Sequence, residues 1–459
     1  MSEGKEKKNI RDVITSGPPV AGLISPSREN LIEPKTKEKE EKFDYERCTH
    51  CGYCRHVCKV YNTSWCETDY AGGRNRIIKA LDRKDIKFDK EEIIPSIYRC
   101  MLCGNCKVVC PVGINTLEVF QNLRKAVVKK GAMPEKLAIL RDSILCNNNP
   151  YMEQHVDRFN WCEENEYGKQ AYERAKKELA AIDEAISAGD LEARKPKPHK
   201  VGYFIGCTSS YRNKELVNAT SDVLGKLGIQ FVLFPEERCC GSVLFRTGLE
   251  DEAMDLVKQN YKMIRESGVS EVVFSCSGCF STFTLEYTKF AGGNLGFDIY
   301  HLTQYVLKTV KERNLKIRYP KRTKDDPLLI TYHDPCHLGR YCGVYEEPRE
   351  LINMIEGVKL FEMKHNRDMS WCCGAGGGVK ALYGDVAGEI GRDRITETQT
   401  CMVIIREDRL KEALETNAEV LVSSCVFCKN NLFQVANEDN SPIKVMDISQ
   451  LLNECEFYK

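Results

Sequence analysis

The sequence predicts an α+β multidomain chain: a mostly α-helical, cluster-binding N-terminal domain followed by two related α/β domains. Three observations carry this. Residues 43–160 contain two C-x2-C-x2-C-x3-C runs. From residue 200 onward, short β-rich runs alternate with helical segments. That alternation, together with its cysteines, occurs twice.

Taken in order, residues 1–42 are rich in Lys, Glu, Pro and Ser without a clear period, and read as an extended or disordered arm. In residues 43–160, IIPSIYRCMLCGNCKVV and LEVFQNLRKAVVKK carry helical periodicity. Residues 161–199 hold a charged helix over 163–188 and then a linker, GDLEARKPKPHK. The first α/β domain, 200–320, runs VGYFIGC, ELVNATSDVLGKLG, QFVLF, EAMDLVKQNYKMIRESG, EVVFSC. The second, 321–459, answers with LLITYHDPC, EPRELINMIEG, KLFEM and EVLVSSC. Even the tails correspond, FDIYHLTQYVLK with IKVMDISQLLNE.

Lys+Arg and Asp+Glu both number 67 in the 459 residues, so the formal net charge is zero and nothing points to nucleic acid. No apolar stretch follows the charged start, and no run of about 18 apolar residues occurs. The expected location is therefore cytoplasmic, with any membrane reached only through a partner on its cytoplasmic face. There are 24 cysteines, in clusters often two residues apart. Reduced cytosolic thiols in such clusters bind metal or do redox work; a disulfide framework is the poorer reading.

Cys48, Cys51, Cys54 and Cys58 form one C-x2-C-x2-C-x3-C run; Cys100, Cys103, Cys106 and Cys110 form the other, with Pro111 following. Three thiolates at this spacing can wrap one face of a 4Fe–4S cubane, and the fourth reaches the other cluster in two-cluster ferredoxins. The expected ligand sets are Cys48, Cys51, Cys54 with Cys110, and Cys100, Cys103, Cys106 with Cys58. Lys59 stands where the motif expects proline. Two zinc sites would not need this crossed arrangement. The region is thus expected to be a ferredoxin-like domain with two cubane clusters that conduct single electrons.

The first α/β domain carries Cys207, Cys239, Cys240, Cys276 and Cys279; the second carries Cys336, Cys372, Cys373, Cys425 and Cys428. The gaps are 31 and 35 residues in the first set and 35 and 51 in the second. All fall at the ends of expected strands, where open α/β sheets build their sites. Five thiolates are one more than a cubane needs, and an adjacent pair such as Cys239–Cys240 suits different irons of an unusual cluster. Gly374, Gly376, Gly377 and Gly378 let the backbone approach something closely. No GK[ST] follows them, so a phosphate loop is disfavoured.

These residues resemble a known family. FIGCTSSYR, ERCCGS, SCSGC, HDPCHLGRY, WCCGAGGG and SSCVFC are similar to the paired cysteine-rich (CCG) domains of heterodisulfide reductase. The region before them is similar to that enzyme's small iron–sulfur subunit. The fused order resembles the membrane-associated form of the catalytic subunit, over residues 43–459. The resemblance implies a methanogenesis-type oxidoreductase with up to two non-cubane 4Fe–4S clusters, one on each five-cysteine set. A disulfide of the coenzyme M–coenzyme B kind would be cleaved between them. A zinc in one CCG site stays open. The 51-residue gap implies an insertion around 380–410. Cousins with the same domain order serve glycolate and lactate oxidases and sulfate reducers. The glycolate type generally lacks a full last C-x2-C, whereas this chain has both Cys276/Cys279 and Cys425/Cys428.

A disulfide takes two electrons and a cubane delivers one at a time. Two iron sites facing one disulfide, each able to hold one sulfur as thiolate, would give a reason for the duplication. The sequence has no flavin or nicotinamide motif, so electrons are expected from another redox subunit, a cytochrome b-type membrane subunit or a flavoprotein. The alternative is a non-catalytic electron-transfer subunit of a larger flavin- or quinone-linked oxidoreductase. His333 and His337 flank Cys336, either donating protons or orienting a cluster sulfur. Trp371, directly before Cys372, is expected to exclude water. Cys66, Cys146, Cys162, Cys342, Cys401 and Cys455 read as small buried hydrophobes.

Overall fold

The ferredoxin-like region is built from short helices around two similar loops. Gly52 and Gly104 take left-handed conformations (φ 84° and 81°) at the starts of the helices Tyr53–His56 and Asn105–Val108. Each loop thereby turns between its second and third cysteines. The amphipathic helix Thr116–Lys129 buries Val119, Phe120, Leu123 and Val127 against Ile94, Ile97 and Tyr98. The computed structural model describes residues 44–392 and 418–459. The arm over 1–42, Cys401, and the expected insertion beyond residue 392 lie outside the described residues. The expected charged helix forms over Glu166–Ser187, capped by Asn165, whose side chain accepts from the Gly168 amide at 2.8 Å.

The first α/β half contains β1 (Val201–Phe204), β2 (Phe231–Val232), β3 (Glu271–Phe274) and β4 (Asp298–His301). They pair in parallel in the order β2-β1-β3-β4. The chain continues through β5 (Lys316–Arg318), β6 (Leu328–His333), β7 (Ile355–Glu356), β8 (Val358–Phe361), β9 (Val420–Ser423), β10 (Lys444–Asp447) and β11 (Glu456–Tyr458). The second sheet, β10-β9-β6-β8, is also parallel. Read from its own first strand, it repeats the strand order of the first. β11, β5 and β7 form a small third sheet that ties the end of the chain to the crossing between halves. The central strands β1, β3, β6 and β9 are buried along their whole length, as strands covered on both faces must be.

The repetition reaches single side chains. The Tyr203 hydroxyl meets Ser275 at 2.8 Å, and the Tyr332 hydroxyl meets Ser424 at 3.0 Å; each serine directly precedes a C-x2-C pair. His301 with Gln304 and Asp447 with Gln450 form capping boxes on Leu302–Glu312 and Ile448–Asn453. These are the two corresponding tails. One apolar core runs through both halves, joining Tyr203, Val223 and Val306 to Tyr332, Val422 and Leu451.

All of residues 42–459 form one unit. Arg124, fully buried on the helix Thr116–Lys129, is a main reason. Its guanidinium donates to the carbonyls of Cys100 (2.6 Å), Ile97 (3.2 Å) and Tyr98 (3.2 Å) in the ferredoxin-like region. It also donates to Arg246 (2.6 Å) in the first half and Gly377 (2.7 Å) in the second. Removing it leaves buried acceptors without a donor, each costing about 1–3 kcal/mol. Arg124→Met is therefore expected to lower the anaerobic thermal-unfolding midpoint well below wild type, with Arg124→Lys falling less. A midpoint unchanged in Arg124→Met would show that the clamp is not needed.

Candidate metal centre

Every described cysteine is a free thiol. The first run lies at the surface: Cys51 is exposed, and Cys48 and Cys54 are half-buried. Arg47 donates to the Val112 carbonyl at 2.6 Å, which brings the segment after Cys110 beside this loop. The second run is covered. Cys58, Cys100, Cys103 and Cys106 line one cavity whose other walls include Val57, Ala71, Leu117 and Phe120. Cys58 thus sits with the three cysteines of the other run. Arg74 lines the same cavity, buried, with Nε donating to the Ser96 carbonyl at 2.7 Å and Nη1 to the Asp69 carbonyl at 2.6 Å. Its Nη2 has no hydrogen-bond partner. An apolar cradle with four thiols and an unsatisfied guanidinium N–H fits an anionic iron–sulfur group.

Cys372, from the second α/β half, completes the wall of this cavity. The Cys103 and Cys372 thiols are in hydrogen-bonding contact. The second half grips the cubane loop around them. Arg340 Nε donates to the Cys103 carbonyl at 2.7 Å, the Tyr341 hydroxyl to the Leu102 carbonyl at 2.6 Å, and Asn105 to the Ser370 carbonyl at 3.5 Å. The glycine run finds its reason here. A Cβ on Gly376 would meet the Met101 carbonyl oxygen at 2.8 Å, and one on Gly377 (φ 62°) would meet that of Cys100 at 2.7 Å. What the glycines approach is the backbone of the cubane loop.

Lys59, where proline was expected, starts the helix Lys59–Ser64 and lies buried with its ammonium 2.9 Å from the centroid of the Trp371 ring. Trp371 also stacks on His365, with centroids 4.2 Å apart. Position 59 therefore supplies a cation–π contact to the residue before Cys372.

In the α/β halves all ten motif cysteines follow parallel strands. Their thiols form a nearly continuous row of contacts. Cys207 meets Cys239, then Cys240, Cys279 and Cys276 follow in the first half. Cys276 meets Cys425 across the halves, and Cys428, Cys373 and Cys372 continue the row to Cys103. Cys336 lies beside it, close to Cys373, Cys425 and Cys103. Ser277 Oγ donates to the Ser424 carbonyl, so the two C-x2-C turns are pinned face to face.

Crowded buried thiols perturb one another. Cys103 is pulled down to about 6, first by its hydrogen bond with Cys372 and, against burial, by Arg340. Cys240 falls to about 6 through its hydrogen bonds with Cys239 and Cys279. Burial raises Cys58 to about 12 and Cys54 to about 11. Metal ions at such sites replace the protons and neutralise the crowded thiolates. His333, Cys373 and Cys428 place one ligand atom each within 4.8 Å of one another. His337 lies across the gap between halves, where a Cβ on Gly278 would be 3.7 Å from its Nδ1 and 3.6 Å from Cys276 Sγ. Burial lowers its imidazole to about 3, which leaves it neutral and suits orientation over proton donation.

Sequence reasoning missed the cations around these thiols, Arg74, Arg158 and Arg340, and the carboxylate Glu237. Cys66, Cys146, Cys162, Cys342 and Cys455 stand apart from the thiol row.

Comparison with known proteins places the cysteine-rich domain model on residues 201–284 and 330–405, and the 4Fe-4S dicluster domain model on 44–114. The chain is 34% identical to an iron–sulfur component of the dihydromethanophenazine:CoB–CoM heterodisulfide reductase of Methanosarcina barkeri, covering 92% of this chain and 97% of that protein. It is 26% identical to one component of the fumarate reductase (CoM/CoB) of Methanothermobacter marburgensis, covering 92% of this chain and 74% of that protein. Identity is also 26% to the EtfAB:quinone oxidoreductase of Syntrophomonas wolfei, over 90% of this chain and 58% of that protein.

Gly377→Ala should force the glycine run off the Cys100 carbonyl, at a cost of about 1–3 kcal/mol. It is expected to weaken the magnetic coupling between the second cubane and the second α/β site and leave each signal present. Gly384→Ala, whose Cβ meets open space, serves as the neutral control. Unchanged coupling in Gly377→Ala would show that the close approach is dispensable.

Proposed function

The chain belongs to the heterodisulfide reductase family of iron–sulfur oxidoreductase subunits, and from that premise we propose that it reduces a small disulfide with single electrons delivered by a redox partner. The observation that carries this is the unbroken thiol row from Cys103 through Cys372 to the facing pair Cys276 and Cys425. When bound, 4Fe–4S clusters supply one-electron transfer at potentials set by charge, hydrogen bonding and exposure.

In this reading Cys48, Cys51, Cys54 and Cys110 hold the cluster nearest the surface, where a partner can reach exposed Cys51. Cys58, Cys100, Cys103 and Cys106 hold the covered one. Cys207, Cys239, Cys240, Cys276 and Cys279 hold one non-cubane cluster, and Cys336, Cys372, Cys373, Cys425 and Cys428 hold the other. Arg74 offsets thiolate charge in the covered cavity, and the Lys59–Trp371–His365 stack keeps water from Cys372. The disulfide binds where the halves meet, and with two electrons and two protons it leaves as two thiols. A coenzyme M–coenzyme B type disulfide matches the names of the relatives. The partner is a cytochrome b-type membrane protein or a flavoprotein; no described helix of this chain is long and apolar enough to cross a membrane.

A second reading, an electron relay without disulfide turnover, draws on the His333, Cys373 and Cys428 trio, a donor set that also suits a single zinc. Metal analysis of anaerobically purified protein separates the two. The catalytic reading expects about 16 irons in four clusters and no zinc; about eight irons with one or two zincs would favour the relay. Cys373→Ser supplies a harder ligand of similar size. It is expected to alter the second α/β site's spectrum and abolish disulfide turnover while the cubane signals persist. Wild-type turnover in a folded Cys373→Ser protein would sink the catalytic assignment.

A further inference from the structure

Both α/β halves bury an arginine–carboxylate pair beside the first cysteine of the set, and the two pairs are wired differently. In the second half Arg349 forks onto Asp334 at 2.7 and 2.8 Å. Its remaining N–H groups go to Glu362 and the Tyr345 carbonyl. Arg340, the other arginine near Cys336, donates to the carbonyls of Cys103, Asp368 and Ser370. In the first half Arg158 donates Nη1 to Glu237 at 2.7 Å and Nη2 to Cys207 Sγ at 3.3 Å. Both Arg158 and Glu237 have no exposed surface.

Arg158 reaches in from outside the half it serves, from the 3-10 turn His155–Glu163. It is held there firmly. Glu237 accepts the backbone N–H groups of Ile205 and Gly206, each at 2.8 Å, so the carboxylate is pinned to the cysteine's own loop. The guanidinium lies over the Tyr211 ring, 5.3 Å from its centroid, and Nη2 also points to the Asn148 carbonyl at 3.4 Å. A second difference lies along the strands: His333, beside Cys373 and Cys428, occupies the position of Phe204 in the first half.

We propose that Arg158 sets the Cys207 site at a higher reduction potential than the Cys336 site, making it the electron sink of the pair. This rests on the reading that both five-cysteine sets hold iron–sulfur clusters. A charge-assisted N–H···S bond and a nearby cation stabilise the more negative, reduced state, and burial strengthens both. The covered cubane set touches the second α/β set through Cys103 and Cys372. A higher potential at the remote first set therefore gives the thiol row a downhill direction away from the ferredoxin-like region. Arg158 is a positioning and tuning residue, since it acts through Cys207.

The test is an EPR-monitored redox titration of the holoprotein as wild type, as Arg158→Lys, and as the double variant Arg158→Gln/Glu237→Gln. Lysine keeps the charge beside Glu237 and loses the second arm of the fork. The double variant removes both charges together, so no buried ion is left alone. The first-site midpoint potential should move negative in both variants while the second-site and cubane potentials stay in place, with disulfide turnover falling severalfold. An unmoved first-site potential in both variants, or an equal shift at every site, overturns the proposal. Wild-type protein with iron in the cubane sets alone would remove the underlying reading as well; full iron loading with an unresponsive first site removes the role of Arg158 alone.

Discussion

One buried guanidinium fixes where the cubane loop can be. Arg124 binds carbonyls from the ferredoxin-like region and from each α/β half, so these three parts are aligned on one planar group with donors in fixed directions. The surrounding contacts then have their register: Arg340 and Tyr341 on the cubane loop, Gly376 and Gly377 against Cys100 and Met101, and Cys103 against Cys372. Electron transfer depends steeply on distance, so a clamp on backbone carbonyls serves function as much as stability. Burial costs the guanidinium some of its basicity, and the carbonyl fork compensates for the lost water.

The α/β halves supply a different kind of order. Repeated strand order, repeated Tyr–Ser pairs and repeated capping boxes place two C-x2-C turns opposite each other. The halves then depart from symmetry where charge is concerned. Arg158 contacts a thiol in the first; His333 stands by two thiols in the second. The common scaffold sets where the sulfurs are, and the unshared side chains make the two sites chemically distinct.

Much of this was legible from the sequence because it is local. C-x2-C spacing, strand-then-cysteine order and the matched tails are all read within windows of a few tens of residues. The glycine run was read as a close backbone approach, but its target lies far back in the chain, at Cys100 and Met101, and no local signal names it. Arg158 pairs with Glu237 across 79 residues and Arg340 reaches Cys103 across 237, so neither cation had a visible partner. Arg124 did leave a trace: it falls within the apolar stripe of Val119, Phe120, Leu123 and Val127, where a cation is out of place on a packed helix. Lys59 was visible as a departure from the motif, and only the fold explains what it touches.

The wall that Cys372 adds to the covered cubane cavity has a consequence for how the protein is made. Synthesis proceeds from the N-terminus, so Cys58, Cys100, Cys103 and Cys106 emerge long before the residues that cover them. Until the second α/β half exists, the future interior of the molecule is an open patch of thiols facing the cell's oxidants and its iron supply. The earliest-made site is the one that waits longest for its shelter.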